Sequence, residues 1–383
     1  MDNKKNVFRF LKHTGLLAVM FVLVAAGYMG LAYWRDPLCF FRHPGTEKIY
    51  FSGPIRVLDA GLINSFEFDS AIVGTSVLEN SSAAAMSKAL GGKFMNLSIA
   101  GSHYAERSIV LSYLLRKKDV KRVVYSLDRY YQGCPTQGHV ERAWTFLYDD
   151  DKWNDMKAYT DLRYLRCVLF GVPNPKGKTL DRPKAWGHES YYTCRLGGIQ
   201  NWVNNMDKRG IGSFLLETLP RAAAKADPER PMVHDKAREA RAEAYVEKYV
   251  LSHAKQYKDT EFYLLFPPYW RFDYATMRQI DPVSFGVHQS VVRYVVRRAA
   301  ELGNVRIFGF EDCPFVGDIA VYRDVTHHFT EINDLIIEKL GKGENRLTPD
   351  NVEAYLERCE ELARNFDIKG LNEQVKKMLA EKN

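Results

Sequence analysis

At 383 residues and 46% hydrophobic content, the chain can bury at least one large core, and its length allows two or three domains, which excludes a disordered tail. Its 54 basic and 47 acidic residues give a net charge of +7 with no block of one sign, so the surface is mildly basic and not a nucleic-acid footprint.

Lys4, Lys5, Arg9 and Lys12 precede Gly15 to Trp34, a stretch with no charged residue. At about 1.5 Å per residue that stretch spans roughly 30 Å, the thickness of a hydrocarbon core. Tyr33 and Trp34 stand where an aromatic belt belongs, and Arg35 ends the run. The apolar stretch exceeds the h-region of a cleaved signal peptide and has no clear small-x-small site at its end, so it reads as a retained anchor. The basic flank then stays cytoplasmic, residues 15–34 meet the lipid bilayer, and everything after them lies outside. Residues 35–64 connect the anchor to an α/β domain over 65–345, and 346–383 form a helical extension.

Six cysteines, Cys39, Cys134, Cys167, Cys194, Cys313 and Cys359, show no CxxC and no zinc spacing. An extracytoplasmic setting permits disulfides, for instance among Cys134, Cys167 and Cys194.

Beyond the anchor, strands and helices alternate. Ser70 to Val73 is a short apolar run closing on Gly74, followed by an alanine-rich helix from about Val77 to Leu90. Phe94 to Ile99 reads as a second strand, Tyr104 to Arg116 as a helix and Val120 to Leu127 as a third strand. Glu261 to Phe266 is a fourth strand, stopped by Pro267 and Pro268. A helix over Val287 to Leu302, a strand over Val305 to Phe310 and a helix over Phe329 to Leu340 complete the rhythm. The repetition predicts a doubly wound, flavodoxin-like parallel sheet of five strands with helices on both faces. Residues of about 132–230, with Trp144, Trp153, Trp186 and Trp202, read as an inserted subdomain or lid. Met232 to Tyr257 reads as a charged helix whose Tyr245, Val246, Tyr249, Val250 and His253 form one buried stripe. Thr348-Pro349 supplies an N-cap and a first helical residue for the tail.

Two segments carry chemistry. In Phe68-Asp-Ser-Ala-Ile-Val-Gly-Thr-Ser-Val-Leu-Glu-Asn80, Ser76 follows a strand on a turn that Gly74 makes tight. In an open α/β sheet such a turn sits at the edge where ligands collect, and a hydroxyl there can attack a carbonyl while neighbouring amides receive the oxyanion. The plain alternative is that Ser76 is a helix N-cap. In Val321-Tyr-Arg-Asp-Val-Thr-His-His-Phe-Thr-Glu-Ile-Asn333, Asp324 stands three residues before His327 and can fix its tautomer just ahead of the last helix. Metal ligation by Asp324, His327 and His328 competes, but no second cluster has ligand spacing, and no metal or other cofactor is called for.

A Gly-x-Ser turn after the first strand, a glycine after the second and Asp-x-x-His before the last helix resemble the SGNH (GDSL-like) hydrolase superfamily. The chain is most similar to its membrane-anchored bacterial branch, with relatives of the alginate O-acetyltransferases and the teichoic-acid D-alanyl transfer protein. The resemblance covers residues of about 65–130 and 260–340. It implies Ser76 as nucleophile, His327 as general base, Asp324 as its orienting carboxylate, and the amides of Ser76 and Gly101 as oxyanion donors. The family places an asparagine after the third strand, where this chain has Asp128. A carboxylate accepts hydrogen bonds, so Asp128 would serve only if protonated or by positioning Arg129 or a backbone amide. Asn80 is a substitute donor, and His103, Tyr104, Tyr269 and Trp270 either line the pocket or pack. His188, His234 and His288 read as structural.

The resulting expectation is a single-pass protein of a bacterial inner membrane, with an extracytoplasmic serine esterase or O-acyltransferase acting on acyl esters of an envelope polysaccharide. Its partners would be that glycan or acyl donor and a membrane acyltransferase. A non-catalytic glycan-binding scaffold, which Asp128 favours, and a metal-dependent hydrolase are the rival readings.

Overall fold

Ser70–Val73 (β1) is buried at every position, as expected of a strand covered on both faces. The computed structural model, which describes residues 2–45, 55–135, 142–171, 197–207 and 210–382, places β1 inside a six-stranded sheet. Its other strands are Phe94–Asn96 (β2), Arg122–Ser126 (β3), Glu261–Phe266 (β4), Val305–Gly309 (β5) and Arg346–Leu347 (β6), in the order β2-β1-β3-β4-β5-β6. Strands β1 to β5 pair in parallel, and β6 lies antiparallel on β5. The sheet is therefore mixed and six-stranded, not the five-stranded parallel sheet the alternation predicts. After the last flanking helix the chain turns through Gly343 (φ 70°) and Asn345 (φ 60°) and lays two residues on the open edge of β5. A two-residue strand carries no periodicity for a sequence reading to detect.

From β1 the chain steps to β2 on one side and then crosses back to β3 on the other. Such a reversal opens a crevice beyond the carboxyl ends of the strands. The turns after β1 and β3 both lead into it.

The helix after β1 is shorter than its alanine content predicts. It runs Ala83–Leu90 with Ser82 as N-cap, whose hydroxyl accepts from the Ala85 amide at 2.9 Å. Residues 77–81 instead form a turn whose carbonyls are taken by two buried asparagines. Asn96 donates to the Leu78 and Ser81 carbonyls, both at 2.9 Å, and Asn333 donates to the Val77 carbonyl at 2.8 Å. Because Asn333 lies in the helix Thr330–Lys342, the same bond ties the last flanking helix to the turn after β1.

The charged segment over 236–256 is helical, with a π-type widening at Glu247–Leu251, and Tyr245, Val246, Tyr249, Val250 and His253 are all buried. The tail helix begins at Val352 with Asn351 as N-cap, not at Thr348-Pro349. The Thr348 amide donates to the Asn351 side chain at 2.8 Å, closing a turn before the helix. Within the predicted 132–230 region, residues 197–207 and 210–226 pack into the sheet's own unit, where Trp202 meets Trp270 edge-on at 5.4 Å. Trp186, His188 and Cys194 lie outside the described residues.

Of the described residues, those within 67–140 and 177–383 form that unit, and those within 1–66 and 141–176 form another. The second unit contains the helix Asp2–Arg35 (α1) and the helices Ile55–Ser65 and Leu162–Phe170. Residues Asn6–Arg35 of α1 are long and apolar enough to cross a membrane. The chain leaves α1 around the buried Asp36, whose carboxylate accepts from the amides of Phe40, Phe41 and Arg42 and from the Tyr159 hydroxyl at 2.6–3.0 Å. Cys39, Cys134, Cys167, Cys313 and Cys359 are free thiols.

Candidate active site

The turn after β1 and the loop before the helix Thr330–Lys342 converge. Ser76 Oγ lies 2.8 Å from His327 Nε2, and His327 Nδ1 lies 2.8 and 2.9 Å from the two oxygens of Asp324. A carboxylate only accepts, so Nδ1 carries the hydrogen and Nε2 presents its lone pair to the Ser76 hydroxyl. Asp324 is fixed in turn by the amides of Thr326 at 2.9 Å and His327 at 2.8 Å. Its burial would raise its pKa, but the His327 ring and these amides hold the carboxyl below its usual range. The Asp324 side chain is 6% exposed and the His327 ring 20%, so the carboxylate is sealed while the imidazole reaches the opening.

Ser76 is not a helix cap, because Ser82 fills that role. It lines a cavity of about 600 Å³ together with Thr75, Gly101, Asp128, Tyr269 and Met277. Gly101 has φ 64°, a left-handed conformation that a side chain disfavours. Among the described residues, the amides of Ser76 and Gly101 are not taken up by other protein groups, leaving both donors for a ligand oxygen.

No family model, curated protein or solved structure matches the chain. The chemistry of the site therefore rests on its own geometry.

Asp128 is the hub of the pocket floor. One of its oxygens accepts from the hydroxyls of Thr75 at 2.9 Å and Tyr269 at 2.7 Å, and the other accepts from Ser126 at 2.6 Å and pairs with Arg107 at 3.1 Å. Three hydroxyls donate to Asp128 and a guanidinium pairs with it, so its oxygens are engaged as acceptors and are not donors to an oxyanion. Nor does it position Arg129, whose guanidinium bonds Asp273 at 2.6 Å and lies 4.7 Å over the Tyr269 ring. Arg107 is wholly buried between the rings of Tyr104 and Tyr125, 4.8 and 4.6 Å away. Burial and the Asp128 charge push the Tyr269 phenol well above its usual pKa, so it remains a donor.

Of the other candidates, His103 caps the helix Tyr104–Lys117 in a reciprocal box with Glu106 and does not line the cavity. Tyr104 is buried, with its hydroxyl 2.5 Å from the Asp128 carbonyl, and Trp270 packs in the aromatic cluster with Trp202. Asn80 is buried behind the turn and is not part of the cavity wall. His328 turns inward, and burial lowers its pKa to about 4. His288 is buried against Glu311 at 3.0 Å and Tyr131 at 2.6 Å.

The sequence reading overlooked Thr75, Ser126, Arg107, Asn96 and Asn333. Arg107 left a signal, because it shares the buried face of its helix with Tyr104, Leu111 and Leu114. An arginine on such a face needs a counter-charge in the core.

Proposed function

We propose that the sheet-bearing unit is an SGNH-like serine esterase or O-acyltransferase. The observation that carries this reading is the unbroken chain from Ser76 Oγ through His327 to Asp324, opening onto a cavity. Ser76 Oγ attacks the carbonyl carbon of an acyl ester as His327 Nε2 takes its proton, and the negative oxygen forms beside the amides of Ser76 and Gly101. Collapse expels the alcohol, which leaves with the proton from His327, and the acyl group stays on Ser76. Water or a sugar hydroxyl, deprotonated by His327, then releases it.

Asp324 keeps the imidazole in the productive tautomer and supports the imidazolium that forms. Tyr130, which lines the cavity with Tyr269, supplies an aromatic ring suited to a sugar face. With basic residues before the apolar helix, the active unit would face the outside of the membrane, where envelope polysaccharides carry acyl esters.

Turnover of p-nitrophenyl acetate and of an acetylated polysaccharide by the full chain tests this reading. Ser76→Ala and His327→Gln should each lower kcat by on the order of a thousandfold or more. Equal turnover in wild type and Ser76→Ala would exclude the mechanism. Asp128, an anion in the cavity wall, supports the rival reading of a glycan-binding protein without turnover, which predicts sugar binding unchanged in Ser76→Ala and no ester cleavage by either protein.

A further inference from the structure

The helix Leu162–Phe170 is apolar on two faces. Tyr164, Cys167 and Val168 turn inward and are buried. Leu162, Leu165 and Leu169, at positions i, i+3 and i+7, continue into Phe170 as a second, outer stripe. Leu162 and Phe170 are each 80% exposed, and Trp153 in the preceding segment is 85% exposed. A helix on a protein surface in water carries one apolar face, and a contiguous exposed patch marks a partner.

The neighbouring helix indicates which partner. Tyr28 of α1 donates to the Tyr159 carbonyl at 2.5 Å, and Arg35 of α1 donates to the Val168 carbonyl at 2.8 Å. Segment 154–170 therefore runs beside the last two turns of α1. At about 1.5 Å rise per residue, Tyr28 lies roughly 10 Å before Arg35 along the axis, within the outer part of the apolar span. Tyr33 and Trp34, 49% and 66% exposed, mark the same level. Lys152, Lys157 and Arg166 are exposed around the stripe, where their long stems can carry charge to lipid phosphates.

We propose that residues 153–170 form a membrane-interface element, with Trp153, Leu162, Leu165, Leu169 and Phe170 immersed at the headgroup and acyl boundary of the bilayer that α1 crosses. The proposal rests on α1 crossing that bilayer. It is independent of the chemistry at Ser76.

The test uses the full chain in phosphatidylcholine and phosphatidylglycerol vesicles, with a benzophenone-bearing phenylalanine replacing Val22, Leu162 or Phe170 in turn. Irradiation should give lipid adducts from all three positions. Adducts from position 22 without any from 162 and 170 would overturn the interface element while leaving the span intact. Absence of adducts at 22 would remove the span, and the proposal with it. Chain-to-chain crosslinks from 162 or 170 would assign the stripe to a second copy and overturn the lipid assignment.

Discussion

Asp128→Asn keeps the shape of a side chain and removes its charge. The Arg107 guanidinium, 0% exposed, would then be buried without a counter-ion. Breaking a buried ion pair by removing one partner costs about 3–5 kcal/mol, a large share of the roughly 5–15 kcal/mol that holds a domain folded. At about 2–4 °C per kcal/mol for a domain of this size, the thermal midpoint should fall by roughly 6–20 °C. Turnover should fall too, because Thr75 beside the nucleophile and Tyr269 in the cavity wall both donate to this carboxylate. Resemblance to the SGNH pattern would imply the opposite expectation, since an asparagine acting as oxyanion donor would raise turnover by on the order of a hundredfold. Scanning fluorimetry and p-nitrophenyl acetate turnover, run on one preparation, separate the two. A variant with an unchanged midpoint and higher turnover would refute the assignment of Asp128 as a charged hub. Adding Arg107→Met to Asp128→Asn should recover part of the lost stability, because the stranded charge is gone.

Asp324→Asn should leave the fold intact and lower kcat by about 10⁴-fold, since an amide in place of the carboxylate permits the wrong tautomer of His327. Steady-state kinetics show whether KM stays near the wild-type value. His253, within 2.9 Å of Ser108, and His328 are both buried, and burial lowers each pKa from 6.5 to about 4. The unfolded chain therefore binds these protons first, so stability present above pH 6.5 is lost as pH falls toward about 4, by on the order of 3 kcal/mol per histidine. Thermal midpoints across that range should show the decline, and His253→Gln should flatten it. Asn333→Leu leaves the Val77 carbonyl and the Ser81 hydroxyl without their donor. A loss of about 1–3 kcal/mol in urea unfolding, together with reduced turnover, is the expected result.

Strands β1 and β4 were legible because short apolar runs ending at Gly74 and Pro267 leave little choice of structure. The buried stripe from Tyr245 to His253 was legible for a similar reason, since its spacing matches one helical face. Local propensity misread the start of the helix after β1. Val77 to Ser82 looks helical by composition, yet the carboxamides of Asn96 and Asn333, from distant segments, hold 77–81 as a turn and move the cap to Ser82. The juxtaposition of Ser76 with His327 could be proposed from their places beside strands and helices. The floor beneath them could not, because Asp128, Arg107, Thr75 and Tyr269 meet only through the sheet's topology. Nothing in the pattern of the preceding segment revealed β6, whose two residues answer to the open edge of β5.

The central claim is that Ser76 is an activated nucleophile. A fluorophosphonate forms a stable bond only with a serine whose proton is drawn off by a neighbouring base. Peptide mapping after exposure of the full chain should locate the adduct on Ser76, and His327→Gln should abolish it. An adduct absent from the wild-type chain, or undiminished in His327→Gln, would contradict the account.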